Sequence, residues 1–167
     1  DPLRRRAAVE VADQRLVGIS VAFPSGWSPE DALGREVHEV HAIVPGLNAD
    51  LGARIRRFLA ELPEGRAFAR DNWGLARGDA LDRHPRHALP RIEGDEPFAE
   101  LFLRVEEQAF IGLRHAILFA VHPVHHALDH DAELRALLAN ALATMPADVA
   151  TYKGLSAHAI LAERLAR

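Results

Sequence analysis

The 167-residue chain contains no cysteine. Disulfides, thiolate-bound zinc, an iron–sulfur cluster held by this chain and a thiolate ligand to haem are therefore excluded. The sequence also lacks an apolar run of the roughly 20 residues needed to cross a membrane, and no signal peptide is visible. We therefore expect a cytoplasmic protein that has no membrane partner.

An excess of basic residues is also missing. The formal net charge is −4, from 20 Lys and Arg against 24 Asp and Glu, so we expect no nucleic-acid partner. Hydrophobic residues make up 49 % of the chain, enough for a core, and the length predicts one domain over residues 1–167. Ten histidines without cysteine leave imidazole and carboxylate as the strong metal ligands.

The stretch from Arg15 to Leu47 organises the chain. It starts with a strand-like apolar run, Leu16–Phe23, which ends at Pro-Ser-Gly. Ser28 then predicts the N-cap of a short helix, because a proline and two acidic residues follow it. His41 lies just before a Pro-Gly turn, and a histidine on such a rigid segment is a candidate ligand to a metal or a haem.

The remaining patterns predict an α+β domain, with a single antiparallel β-sheet and helices packed on one face. The first two strands, at residues 7–12 and 16–23, form a hairpin across Asp13-Gln14-Arg15. Leu16–Phe23 and Ala116–Val121 are expected near the centre of the sheet. Strands are also predicted at Glu64–Gly78 and at Phe98–Gln108, for which a helix is the alternative. Helices are predicted at Asn48–Leu62, His130–Met145 and Ser156–Arg167. A long loop is predicted at Asp79–Pro97.

Several short elements resemble one protein family. Phe23-Pro24-Ser25-Gly26-Trp27, followed by Gly34 and by Val40-His41-Ala42-Ile43-Val44-Pro45-Gly46, resembles a segment of the type FPS-x-W … G … IH-x-PVPG. Arg70-Asp71-Asn72-Trp73, Leu103–Gln108 and Tyr152-Lys153-Gly154 are similar to R-x-NW, LRVERQ and YKG elements in the same order. These elements belong to the haem-dependent oxidative N-demethylase α-subunit family.

The resemblance implies a PAS-like fold that binds haem b. It implies oxidation by dioxygen of a small methylated amine such as dimethylamine, with electrons passed from NADPH through partner subunits that carry flavin and iron–sulfur centres. Glu107 replaces an arginine of the family pattern, and the residues from Glu107 to Val124 differ from it further. These departures keep open a second class, a non-catalytic PAS-like module that binds or senses haem or another small ligand.

In this interpretation His41 is the only protein ligand to the iron. A haem-sized apolar cavity is expected between the sheet and the segment Val37–Leu47, on which Val44 and Pro45 contact the cofactor. Pro45 also stiffens the backbone beyond the ligand. His38 is the alternative ligand.

Charged residues complete the expected site. Arg70 and Arg104 are candidates to pair with the haem propionates, because the guanidinium fork matches a carboxylate; surface salt bridges are the alternative. Glu106 is the candidate catalytic residue, placed to hold a substrate ammonium. For Glu107, pairing with an arginine is the alternative to a role at the cavity.

A histidine-rich stretch near residue 125 offers a third possibility, a metal-binding domain. His122, His126 and His130 would share one face of a helix, as zinc, nickel or copper ligands do. Pro123 argues against that helix, so we expect a strand-to-helix junction that binds no metal through His125, His126 or His130. The histidines of the long loop are expected to face solvent: His84 and His87.

Overall fold

The structure, a computed structural model, describes residues 7–167. That part of the chain contains five β-strands and six α-helices, so the α+β class is confirmed. The strands are β1 (Ala7–Ala12), β2 (Arg15–Val21), β3 (Ala67–Arg77), β4 (Leu101–Gly112) and β5 (Ile117–Ala127). The helices are α1 (Pro29–Ala32), α2 (Val37–Val40), α3 (Leu47–Glu61), α4 (Ala132–Ala143), α5 (Ala147–Tyr152) and α6 (His158–Leu165).

The strands form one sheet in the order β2-β1-β5-β4-β3. β5 is central, as predicted, but the prediction that Leu16–Phe23 lies near the centre is wrong, because β2 is an edge strand. Strand β1 takes the inner place, since it pairs with β2 on one side and with β5 on the other. Its Val9 and Val11 are accordingly buried. The apolar pattern of β2 is stronger than that of β1, but such a pattern indicates that a segment forms a strand and not where the strand lies in the sheet.

The predicted hairpin between β1 and β2 is confirmed. Its two-residue turn consists of Asp13 and Gln14, with φ angles of 48° and 64°, as a tight hairpin turn requires. The N–H of Val37 donates to the carbonyl of Gln14 at 2.8 Å. The turn is therefore fixed to the start of α2.

Contacts divide the chain into two compact units. The first unit comprises the chain up to Asn72, Leu81–Ala88 and Glu106–Pro123. The second comprises Trp73–Ala80, Leu89–Val105 and Val124–Arg167. Strands β3, β4 and β5 contribute residues to both units, and the expectation of a single domain stays a prediction.

In the first unit, α3 packs against one face of the sheet. The ring of Phe58 contacts Phe68 and Phe110 edge to face, with centroid distances of 5.3 and 5.4 Å, and Phe110 stacks on Phe119 at 4.7 Å. Leu51, which the helical pattern assigned to the packed face, is instead 40 % exposed. The contact therefore depends on the C-terminal half of α3, where the aromatic residues meet.

Strand β5 continues six residues beyond its predicted end. It passes through Pro123, which is fully buried, although proline is rare within sheets. Among the described residues, the pairs between β1 and β5 run from Ala7–Val121 to Val11–Ile117, so Pro123 lies outside them. His122 and His126 are consequently strand residues, and the expected junction begins only at Leu128.

The second unit has a core of leucines. Helices α4, α5 and α6 enclose it, and α5 was not predicted because its six residues carry no clear apolar period. Strands β3 and β4 add Leu75 and Leu101 to this core. The largest side chains that are fully buried here are Leu101, Leu128, Leu142, Leu155 and Leu161.

Candidate functional site

His41 is positioned by two consecutive short helical turns. It caps the C-terminus of α2 and begins a 3₁₀ turn, His41–Ile43. Glu36 and Glu39 form a capping box that nucleates α2. The N–H of Val44 then donates to the carbonyl of His41 at 3.0 Å, which fixes the backbone on both sides of the histidine.

The imidazole of His41 is held in its neutral form. Burial, and after it the positive charge of Arg70, lower the pKa of His41 below its ordinary value. Its Nδ1 is buried and has no hydrogen-bond partner among residues 7–167. A neutral imidazole has the chemistry of a metal ligand.

A chain of hydrogen bonds leads from Arg70 to Glu106. Arg70 Nε donates to Gln108 Oε1 at 2.8 Å, and Gln108 Nε2 donates to Glu106 Oε2 at 3.1 Å. Ser25 Oγ donates to the other carboxylate oxygen of Glu106, and Asn72 Nδ2 lies 3.4 Å from Oε2. The guanidinium of Arg70 also lies 5.7 Å from the centre of the Phe110 ring.

The structure thus brings together three of the predicted site residues in the first unit: His41, Arg70 and Glu106. Val44 and Pro45 are partly buried residues of the same unit, and Pro45 leads into Gly46, whose φ of 69° starts α3. Arg104 belongs to the second unit, where it is 5 % exposed and its Nη1 donates to His125 Nε2 at 3.1 Å. Its predicted role at the propionates stays a prediction.

Sequence reasoning missed two polar residues of this region. Gln108 connects Arg70 to Glu106, and its position at the end of an LRVERQ-like element was a usable signal. Arg83 was hidden in the long loop. Its backbone bridges to Ser25, with Gly26 N donating to Arg83 O at 3.1 Å and Arg83 N donating to Pro24 O at 3.0 Å.

The guanidinium of Arg83 is partly desolvated. Burial lowers its pKa, and its Nη1 is buried with no hydrogen-bond partner in the described part of the chain. A buried cation without a partner is costly, and an anionic group of a ligand would satisfy it. Arg83 is therefore a second candidate, with Arg70, for binding a carboxylate in the first unit.

The loop histidine His84 corrects a prediction. It was expected to face solvent, but it is only 9 % exposed, and its Nε2 donates to Glu30 Oε1 at 2.9 Å. The N–H of Arg86 donates to its Nδ1 at 3.1 Å. Nε2 thus attaches the loop to α1, while Nδ1 accepts a bond from within the loop. Charge patterning could not reveal this, because the acidic partner is 54 positions away.

Four of the other histidines each pair with one carboxylate: His38, His87, His122 and His130. His38 Nδ1 lies 2.9 Å from Glu36 Oε2, and His122 Nδ1 donates to Glu107 Oε2 at 3.0 Å. Glu107 thus pairs with a histidine, whereas an arginine was the expected partner. Over residues 7–167, no three His, Asp or Glu side chains are grouped as metal ligands are. Whether the histidine-rich stretch binds a metal stays a prediction.

The side chains of the first unit have the donor chemistry that a haem needs. His41 offers a neutral nitrogen, and the cations Arg70 and Arg83 suit carboxylates. The cavity that His41 lines with Gln14 measures about 10 Å³, the volume of one water molecule, so the expected haem-sized cavity is not this one and stays a prediction. Another cavity, of about 310 Å³, lies between the end of β2, α1 and His84.

These features define an α+β domain whose sheet carries a series of hydrogen-bonded polar side chains beside a neutral histidine. The chain belongs to the haem-dependent oxidative N-demethylase, alpha subunit-like family, whose sequence model matches residues 3–160. A comparison with curated proteins found no match. Among the described helices, none is both long and apolar enough to span a membrane.

Proposed function

We propose that this chain is a haem b-binding, PAS-like subunit that oxidises a small methylated amine in the cytoplasm. Membership of the family supports haem dependence, and the strand order with its helical insertion between β2 and β3 suits a PAS-like fold. The observation that carries the proposal is the state of His41: its pKa is lowered, its backbone is fixed, and its Nδ1 is buried without a partner among the described residues.

Each part of the haem would have a partner in the first unit. His41 would hold the iron through Nε2, and Val44 and Pro45 would contact the macrocycle. Arg70, whose charge acts on His41, and Arg83, whose Nη1 has no partner among the described residues, would neutralise the propionates. When bound, haem supplies the one-electron and dioxygen chemistry that no side chain of this protein provides.

The residues of this chain would orient the substrate. Glu106 is held by Ser25 and Gln108, so its carboxylate is fixed before an amine arrives. Glu106 would thereby hold the amine nitrogen and present its methyl group, with electrons delivered by partner subunits that carry flavin and iron–sulfur centres.

A titration with haem tests the proposal. The unaltered protein should develop a Soret absorption band at a one-to-one ratio, and the His41→Ala variant should lose tight binding. His38→Ala is the matched control, because His38 lies on the same short helix but pairs with Glu36 on the surface. The proposal fails if the unaltered protein never binds haem, or if His41→Ala binds it with an unchanged spectrum.

A second candidate is a haem-binding or small-ligand-binding PAS-like module without catalysis. The observation that favours it is that Glu106 already accepts hydrogen bonds from several side chains, as a structural carboxylate does. The two candidates differ in turnover. With a reductant, dioxygen and dimethylamine, the enzyme should release formaldehyde, whereas the module should bind haem and release none.

A further inference from the structure

The hairpin turn between β1 and β2 places a polar side chain next to His41. Gln14 occupies the second position of that turn, and its φ of 64° is unfavourable for a residue with a side chain. Such a conformation persists where surrounding contacts hold it, and the bond from Val37 N to Gln14 O does so here. The backbone of Gln14 is therefore fixed relative to α2, and α2 ends at His41.

Two buried polar atoms in this region have no partner among the described residues: Gln14 Oε1 and His41 Nδ1. Both side chains line the same cavity, together with Asn48 and Arg56 of α3. A buried polar atom without a hydrogen bond is unfavourable, so we expect one partner in the cavity that satisfies both atoms.

The size of the cavity indicates which molecule can bond to both atoms. Its volume is about 10 Å³, which admits a single water molecule and nothing larger. A water in such a site needs two to four polar partners. An amide oxygen and an imidazole nitrogen supply two, which is the minimum.

We propose that Gln14 is a positioning residue for His41, with Gln14 Oε1 accepting, through one buried water, the proton on His41 Nδ1. Of the two neutral tautomers of imidazole, only the one protonated at Nδ1 keeps its lone pair on Nε2. An acceptor on the Nδ1 side selects this tautomer and fixes the ring plane, as acceptors behind metal-bound histidines do. The effect of this tautomer on iron binding rests on the proposed function. The prediction of the tautomer itself does not.

The test is nitrogen NMR of ¹⁵N-histidine-labelled protein without haem, with the His41 signals assigned from their loss in His41→Gln. In the unaltered protein, Nδ1 should show the shift of a protonated nitrogen and Nε2 that of an unprotonated one. Gln14→Met, similar in size but without an acceptor, should shift His41 toward a mixture of tautomers. In Gln14→Glu, which keeps an acceptor, the His41 nitrogens should show the same shifts as in the unaltered protein.

A matched control is Asp13→Asn, which changes the other residue of the turn and should leave the His41 signals unchanged. Thermal unfolding of each variant verifies that it is folded. The inference is overturned if His41 of the unaltered protein is protonated at Nε2, or if a folded Gln14→Met keeps the unaltered tautomer.

Haem binding gives a second readout. If the unaltered protein binds haem, Gln14→Met should weaken binding by about 10–100-fold, the usual effect of removing a partner behind a metal ligand, and Gln14→Glu should lower the reduction potential. Equal haem affinity in Gln14→Met and the unaltered protein would contradict the positioning role. Failure of the unaltered protein to bind haem would overturn the proposed function, while the nitrogen shifts would still decide the role of Gln14.

Discussion

Arg70 Nε donates to Gln108 Oε1 at 2.8 Å, which joins two strands of the sheet through their side chains. Gln108 in turn donates to Glu106, so a cation and a carboxylate share one hydrogen-bonded chain. The cation lowers the pKa of His41, after burial, and the carboxylate is fixed by Ser25. The neutral histidine and the fixed carboxylate therefore depend on one network.

Removing the charge of Arg70 should raise the pKa of His41. In Arg70→Met the second cause of the lowered pKa is lost, but burial, the larger cause, remains, so the pKa should rise and stay below its ordinary value. An NMR titration of His41 measures this. Arg70→Lys keeps the charge and should change the pKa less; an equal rise in both variants would show that charge is not the cause.

Stability should fall in mild acid because of His41. Its pKa in the folded protein is lower than the value of about 6.5 expected when unfolded. The unfolded chain therefore binds more protons in this range, and the free energy of unfolding should decrease as the pH falls from about 6.5 toward the folded pKa. Urea unfolding from pH 8 to pH 5 measures the loss.

His41→Gln serves as the comparison for this pH dependence, because it removes the titrating group. The slope of stability against pH should be reduced in this variant. His130→Gln is the control, since His130 is 92 % exposed and should leave the slope unchanged. A slope in His41→Gln equal to that of the unaltered protein would contradict the assignment.

Glu106→Gln tests whether the fixed carboxylate, and not that of its neighbour Glu107, binds the amine. The variant keeps the shape but removes the charge that strengthens the bonds from Ser25 and Gln108. We expect a loss in amine binding of about 10–100-fold, the equivalent of about 1.5–3 kcal/mol for a charged hydrogen bond. Calorimetry of the haem-loaded protein with dimethylamine measures this loss.

Glu107→Gln is the control for that experiment. Its side chain is 61 % exposed and pairs with His122, so amine binding should change little. If the two variants bind the amine equally well, Glu106 is a structural residue and the second candidate function gains support.

The end of β4 should not tolerate a side chain at Gly112. A Cβ there would lie 2.1 Å from the carbonyl oxygen of Pro63, so the backbone would have to move. Gly112→Ala should therefore lower the free energy of unfolding by about 1–3 kcal/mol or more. In the control Gly74→Ala, the new Cβ meets no atom within 4 Å and should be tolerated. Equal stability of both variants would contradict the close approach.

The sequence alone predicted the α+β class, the first hairpin and the family. Turn residues and alternating apolar residues act over a few positions, so the turn at Asp13 and the Ser28 cap were readable locally. Motifs in the right order predicted the family that the match over residues 3–160 confirms. His41, Arg70 and Glu106 came from those motifs, and their roles stay predictions.

Only the tertiary structure decided which strand is central and which polar atoms meet. β1 lies inside the sheet because β5 returns to pair with it from more than 100 positions away, a contact that no local pattern encodes. Gln14 and Arg83 gain significance for the same reason. Each is an ordinary turn or loop residue until folding buries its polar atoms without a partner, and burial depends on segments distant in the chain.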